Sequence, residues 1–211
     1  MIRINGVDYP STANDSTTPG KPYGTYELAN NPNIYEIARP NNFELIVTGI
    51  DGIRRAGFLN SDNSSIATVA NGQEIIRMAV TQAFVPSFSQ QAISVRRGNS
   101  TLKYAGTPTF GNGQVVLNDY IGPDVYSVLY SWQNLSYNVR TEKIGLASDY
   151  KKLCYLIEYS PDYQPIRRFK LHGCWISNLT TSGLSSDNGN EVMRVTATIE
   201  YDRGEIDTSE L

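Results

Sequence analysis

From position 43 onward the chain is built of short stretches in which apolar and polar side chains alternate, the period of a strand with one face on a core. The segment 43–49, Phe-Glu-Leu-Ile-Val-Thr-Gly, reads as the first strand. Residues 73–84 also read as a strand, with Ile76, Met78, Val80, Gln82 and Phe84 as the better core face and Val85-Pro86-Ser87 as its end. Further strands are predicted over 92–97, over 101–105, and over 114–117 after the turn dipeptide Asn112-Gly113. The last one, 191–201, alternates most cleanly: Met193, Val195, Ala197, Ile199 and Tyr201 point inward, and Val192, Arg194, Thr196, Thr198 and Glu200 outward.

One stretch changes period. Gly122-Pro123-Asp124 opens a helix over 122–135, with Pro123 at the first helical position and Asp124 at the positive end of the helix dipole. Val125, Val128, Leu129, Trp132 and Leu135 recur at helical spacing as one apolar stripe, flanked by Tyr126 and Tyr130. The stripe is expected to cover one face of a sheet, with Val125, Leu129 and Trp132 in the core. The strand that follows, 150–159, is apolar on both parities: Leu153, Tyr155, Ile157 and Tyr159 against Cys154 and Leu156. A strand apolar on both sides is covered on both, here by the core and by a helix or a second copy of the chain. Its return partner, 166–175, alternates Ile166, Arg168, Lys170 and His172 with Arg167, Phe169, Leu171 and Gly173, and places Trp175 in the core. The fold class expected is mainly β: an antiparallel barrel or two-sheet sandwich with one flanking helix.

Three segments fall outside this pattern. Residues 1–42 are rich in Ser, Thr, Asn, Asp, Pro and Gly and bury little, so they read as an extended arm that orders against a neighbour, or as a loose terminus. Residues 51–72 form a polar insert too long for an ordinary connection, which points to a functional loop. Residues 203–211 read as a loose acidic tail. Three domains of sequence follow: arm 1–42, β-domain 43–202, tail 203–211.

Composition narrows the chemistry. The 211 residues carry a net charge of −3, which argues against a broad basic surface for nucleic acid. Neither a signal-peptide core nor a membrane-length apolar run is present, so the expectation is a soluble chain made in the cytoplasm. The two cysteines, Cys154 and Cys174, sit on neighbouring predicted strands and read as buried thiols, with a disulfide or half a metal site as alternatives. His172 is the single histidine and would share a strand face with Cys174; nothing supplies an orienting third group, so it reads as a surface or interface residue. No glycine-rich loop precedes a helix, and Glu200 and Asp202 read as solvated strand-end charges. An enzyme is not expected, and neither is a cofactor or a metal. The doublets Arg54-Arg55, Arg96-Arg97 and Arg167-Arg168 suit ion pairs and contacts between copies.

The order of these segments resembles the tail tube proteins of contractile-tailed bacteriophages. The resemblance rests on Phe43-Glu44-Leu45 followed by the long insert, Val85-Pro86-Ser87 before a strand ending Arg97-Gly98-Asn99, and Lys103-Tyr104-Ala105-Gly106 followed by Pro108. It continues with the Gly113 turn into Val115-Val116-Leu117-Asn118-Asp119-Tyr120, the helix with Trp132, Tyr150-Lys151-Lys152, Leu171-His172-Gly173-Cys174-Trp175-Ile176, and Tyr201-Asp202. It covers residues 43–202 and lies in order and spacing more than in a strict motif.

The resemblance implies a fold similar to the Hcp protein of type VI secretion. It implies homohexameric rings stacked into the inner tube of a virion tail, through which DNA passes without specific binding. The implied partners are further copies, a sheath protein outside, a baseplate hub or tube initiator, a tape measure protein and a tail terminator. Insert residues Arg54, Arg55, Phe58, Leu59, Asn60 and Ile66 become candidates for contact between rings. Tyr155, Ile157, Tyr159, Arg167 and Arg168 become candidates within a ring, since ring closure uses the sheet edges that would otherwise aggregate. The alternatives are a tube initiator or terminator, an Hcp-like secretion tube, and a monomeric β-sandwich that binds carbohydrate or another ligand, which 14 Tyr and two Trp permit.

Overall fold

The computed structural model describes residues 2–4, 7–9, 38–50, 72–122, 124–186 and 191–207. The chain divides into two units, 1–39 and 40–211. In the first, strands β1 (Ile2–Ile4) and β2 (Val7–Tyr9) form a small antiparallel hairpin with Ile2 opposite Tyr9.

The second unit is a mostly antiparallel β body. Its elements are β3 (Phe43–Thr48), helix α1 (Gly72–Ala79), β4 (Val80–Gln82), β5 (Phe88–Arg97), β6 (Ser100–Phe110), β7 (Asn112–Asn118) and helix α2 (Val125–Ser136). They continue with β8 (Tyr137–Asn138), β9 (Lys143–Ile144), the single turn α3 (Ala147–Tyr150), β10 (Lys152–Tyr159), β11 (Pro165–Thr181), β12 (Arg194–Glu200) and β13 (Arg203–Ile206). One curled sheet runs β3-β10-β11-β12-β7-β4, with β13 also on β11.

The curl originates at Gly173. Cys154 lies opposite Leu171 and Lys152 opposite Cys174, so β11 carries one residue more than its partner across this step, a β-bulge. Gly173 holds φ at +69°, and a methyl group there would overlap the Asp202 carboxylate. Asp202 is itself pinned, its N–H donating to the His172 carbonyl at 2.9 Å and its carboxylate accepting from Lys151 Nζ at 2.6 Å. β11 pairs with β13 up to His172 and with β10 up to Cys174, and from Trp175 onward it pairs with β12. One strand thus serves both halves of a half-barrel.

The bulge also reverses which residues face the core. Phe169 and Leu171 are buried before it, Cys174 and Ile176 after it. Trp175, expected in the core from the parity of Phe169 and Leu171, is therefore turned to the other side and is half-buried, in edge contact with Tyr150 at 6.1 Å. For the same reason Cys174 does not share a face with His172.

Helix α2 packs against β11, β12, α1 and α3. Asp124 is its N-cap, not its first turn, and accepts from Ser127 N at 2.9 Å; Asp119 adds a second carboxylate, accepting from Val125 N at 3.1 Å. The part that the sequence reading gives Pro123 lies outside the described residues. Val125, Val128, Leu129 and Trp132 are buried as expected, and Trp132 Nε1 donates to the Tyr150 carbonyl at 2.9 Å. Tyr126 and Tyr130 stack on the exposed side, 6.0 Å apart.

Other expectations change. Residues 72–79 are helical, not a strand: Gly72, Ile75, Ile76 and Ala79 are buried at helical spacing, while Met78 is 75% exposed. The helix lies against β3 and β7, where its stripe joins the core, and only 80–82 continue as a strand. Asn112-Gly113 is no hairpin turn but the start of β7, which pairs with β12 and β4 and not with β6, and a Cβ at Gly113 would collide with the Phe84 ring. Tyr150 belongs to α3 and not to the strand after it. Residues 203–206, expected to be loose, form β13 on β11. The clean alternation of β12 holds: Val195, Ala197, Ile199 and Tyr201 are all buried. Both cysteines are buried free thiols, and the neighbouring Cys174 thiol together with burial pushes Cys154 well above the usual thiol range.

Candidate assembly surfaces

Among the described residues no cluster of His, Cys, Asp and Glu could hold a metal ion, and no helix is long and apolar enough to cross a membrane. His172 pairs with Glu205, Nε2 to Oε1 at 3.0 Å, on the open face of β11 and β13. A shallow cleft beside the start of α2 is lined by Asp119, Tyr120, Ile121, Asp124, Tyr126, Thr181 and Met193, but its two carboxylates are already engaged as helix caps. What the chain offers are surfaces.

The first is the outer face of β3, β10 and β11. Tyr155 lies opposite Ile46 on one side and Lys170 on the other, and Ile157 opposite Glu44 and Arg168. Leu153, Tyr155, Ile157 and Tyr159 are all half-buried on this face, while Cys154 and Leu156 turn to the core. The charges around this apolar strip are largely engaged. Tyr159 Oη donates to Glu44 at 2.7 Å, and Arg77 pairs with the same carboxylate. The Arg168 guanidinium sits 4.4 Å above the Tyr155 ring and 3.7 Å from Asp207. Arg167, on the other parity, pairs with Glu158 at 3.2 Å. The structure thus brings Tyr155, Ile157, Tyr159 and Arg168 together on one face and separates Arg167 from them. Arg54, Arg55, Phe58, Leu59, Asn60 and Ile66 lie outside the described residues.

The second surface is one that the sequence reading understated. Among the described residues β5 and β6 pair only with each other, forming a hairpin of 10 and 11 residues in place of the two short strands expected over 92–97 and 101–105. Its root is locked. Phe84 stacks on Tyr201 at 5.6 Å, Phe110 meets Tyr201 at 6.1 Å and Phe88 meets Phe110 at 5.8 Å. Tyr201 Oη accepts from Ser87 N at 3.0 Å and donates to Ser87 O at 2.9 Å. Beyond this bracket no described element covers the hairpin, and nearly all of its residues are exposed. The signal available in the sequence was the alternation Ile93-Ser94-Val95 and Leu102-Lys103-Tyr104, which gives strands but not what covers them.

The model of the family described as "T4-like virus tail tube protein gp19" matches residues 68–205, well over half of the chain. The chain belongs to this tail tube family. The match spans the hairpin, α2, the bulged β11 and β12. No curated protein matches the chain. Among solved structures, a chain of an extracellular contractile injection system's sheath–tube complex in the extended state is similar at 13% identity and a TM-score of 0.53, covering 87% of this chain and 97% of that one. A chain from the sheath/tube terminator of such a system gives 14% identity and 0.55, covering 82% and 99%. One from the anti-feeding prophage baseplate gives 12% and 0.54, covering 83% and 98%. At these identities the likeness shows a shared fold. Membership of the tail tube family makes this chain a structural, tube-forming protein and not an enzyme.

Proposed function

We propose that this chain is the repeating subunit of a tail tube, closing into rings of six copies that stack into a conduit for DNA. The observation that carries the reading is the half-barrel itself: an open sheet whose outer face presents Leu153, Tyr155, Ile157 and Tyr159 half-buried beside β3, an apolar strip that a neighbouring copy in a ring would cover. Contacts within a ring fall to that strip with Arg168, and to Arg167 at its margin. Contacts between rings fall to the insert 51–72, with Arg54, Arg55, Phe58, Leu59, Asn60 and Ile66.

The solved relatives come from sheath–tube, terminator and baseplate assemblies. By extension the tube of this chain lies in a virion tail inside a sheath, starts on a baseplate hub or initiator, ends at a terminator, and encloses a tape measure protein before DNA enters. Its net charge of −3 suits a lumen that lets phosphates slide. Assembly takes place in the host cytoplasm.

Negative-stain electron microscopy of the concentrated protein, with its mass in solution, tests the reading. Six-fold rings or hollow tubes are the expected result. A species that stays monomeric at every concentration would overturn it and favour the ligand-binding sandwich. A variant lacking residues 61–71 is expected to give rings without tubes.

A further inference from the structure

Two reactive groups of the body play no part in forming a tube: the thiols of Cys154 and Cys174. Cys154 is 1% and Cys174 0% exposed, and both are free. Each turns to the core, and the Cys154 thiol hydrogen-bonds to that of Cys174. Regular pairing would not bring them together. Cys154 lies opposite Leu171 and Cys174 opposite Lys152, a diagonal relation that ordinarily leaves small side chains apart. The bulge at Gly173 changes this, because its extra residue turns Cys174 to the core side of β11, where Cys154 lies.

The same step offers a way in. Leu153, between Lys152 and Cys154, has no register partner on β11, and its carbonyl accepts instead from the Thr48 hydroxyl of β3 at 2.9 Å. The β10–β11 ladder is thus interrupted beside both thiols, where local opening admits a molecule little larger than water. Cys154 is the thiol that keeps its proton, held by its bond to Cys174 and by burial. Cys174, whose own hydrogen points to the Leu171 carbonyl at 3.5 Å, is the sulfur that attacks.

We propose that Cys154 and Cys174 are a masked dithiol that a peroxide closes into a disulfide across the bulge, locking the bend of β11. The Cys174 sulfur takes one oxygen as the O–O bond of the peroxide breaks, and a first water leaves with the thiol proton. The Cys154 sulfur then displaces that oxygen as a second water, and the S–S bond forms. Each sulfur gives up one electron, and the peroxide takes both. A reducing compartment keeps such a pair open, and an oxidising one closes it. The inference concerns the folded subunit and does not rest on the tube reading.

The test treats the reduced full chain with hydrogen peroxide, alkylates the remaining thiols in denaturant and measures the intact mass. The expected product is a single chain lighter by about 2 Da, two hydrogens, that takes up no alkylating agent. A reducing agent should return both thiols. The melting temperature of the oxidised chain should lie about 4 °C or more above that of the reduced one. Cys154→Ala and Cys174→Ala are each compared with their own reduced form, so any loss of packing cancels. Neither variant should lose the two hydrogens or gain melting temperature. Sulfurs that stay alkylatable, that gain oxygen or that join two chains would overturn the proposal and leave the cysteines as core packing. A disulfide that forms without raising the melting temperature would overturn the lock. None of these readouts depends on whether the chain assembles, so the proposal and the tube reading can fail separately.

Discussion

β12 and the β5–β6 hairpin carry the same alternation and meet opposite fates. In β12, Val195, Ala197 and Ile199 are shut away by α2 and the curled sheet; in the hairpin, Ile93, Val95, Leu102 and Tyr104 lie open. The difference is not propensity, since β-branched and aromatic residues supply both. It lies in whether the chain folds a second layer over the strand. The core side of the body is covered by other elements of the same chain, whereas among the described residues no element covers the hairpin. Stability should therefore separate by region.

The largest effect belongs to the body. Trp132→Ala removes a fully buried indole and its bond to the Tyr150 carbonyl, and is expected to cost about 3–5 kcal/mol in chemical denaturation. A melting curve unchanged by it would mean that α2 is no part of the cooperative core.

Next comes the bend. Gly173→Ala demands a left-handed backbone from an L-residue and drives a methyl into the Asp202 carboxylate, for an expected loss of about 1–3 kcal/mol. If the variant is as stable as the wild type, the bulge is not what reverses the core face of β11.

A smaller effect is tied to the same bend. The hydrogen bond to Asp202 raises Lys151 above its ordinary pKa of 10.5. A group whose folded pKa is raised stabilises at pH below the unfolded value and loses that contribution as pH climbs through the folded one. The pair is part-exposed, so screening keeps the effect modest. Lys151→Met should melt slightly below the wild type at neutral pH, and the gap should close above about pH 10.5. A gap that is constant into alkaline pH would show that the ammonium is not the stabilising species.

The smallest expected effect on stability is on the hairpin. Ile93→Ser alone should stay within about 0.5 kcal/mol of the wild type, because the side chain touches solvent on its open side. A large loss would place the hairpin face inside the body and dissolve the contrast between the two regions.

Much of the body was legible in the residues. The helical stripe of Val125, Val128, Leu129 and Trp132 and the strict alternation of β12 each bury the residues that their period selects, because one covered face imposes one period. The double apolarity of β10 appears in the structure as Cys154 and Leu156 turned to the core and Leu153, Tyr155, Ile157 and Tyr159 half-buried on the outer face. Where reading failed, two periods competed or a single residue changed the register. In 72–79, Ile75, Ile76 and Ala79 satisfy a helix, yet apolar residues also fall on a strand parity; only packing against β3 and β7 decides between them. At Gly173 one extra residue moved Trp175 out of the core and took Cys174 off the face of His172.

What the sequence by itself determined is which residues seek burial and how often they recur: a β-rich chain, an apolar helix and a polar insert. Only the tertiary structure decided where each face is satisfied. Local preferences extend over a few residues, whereas the bend at Gly173, the Tyr201 bracket and the bare face of the hairpin depend on partners distant along the chain. Tyr201 and Ser87, joined at the root of the hairpin, are 114 residues apart, a separation that no periodicity spans.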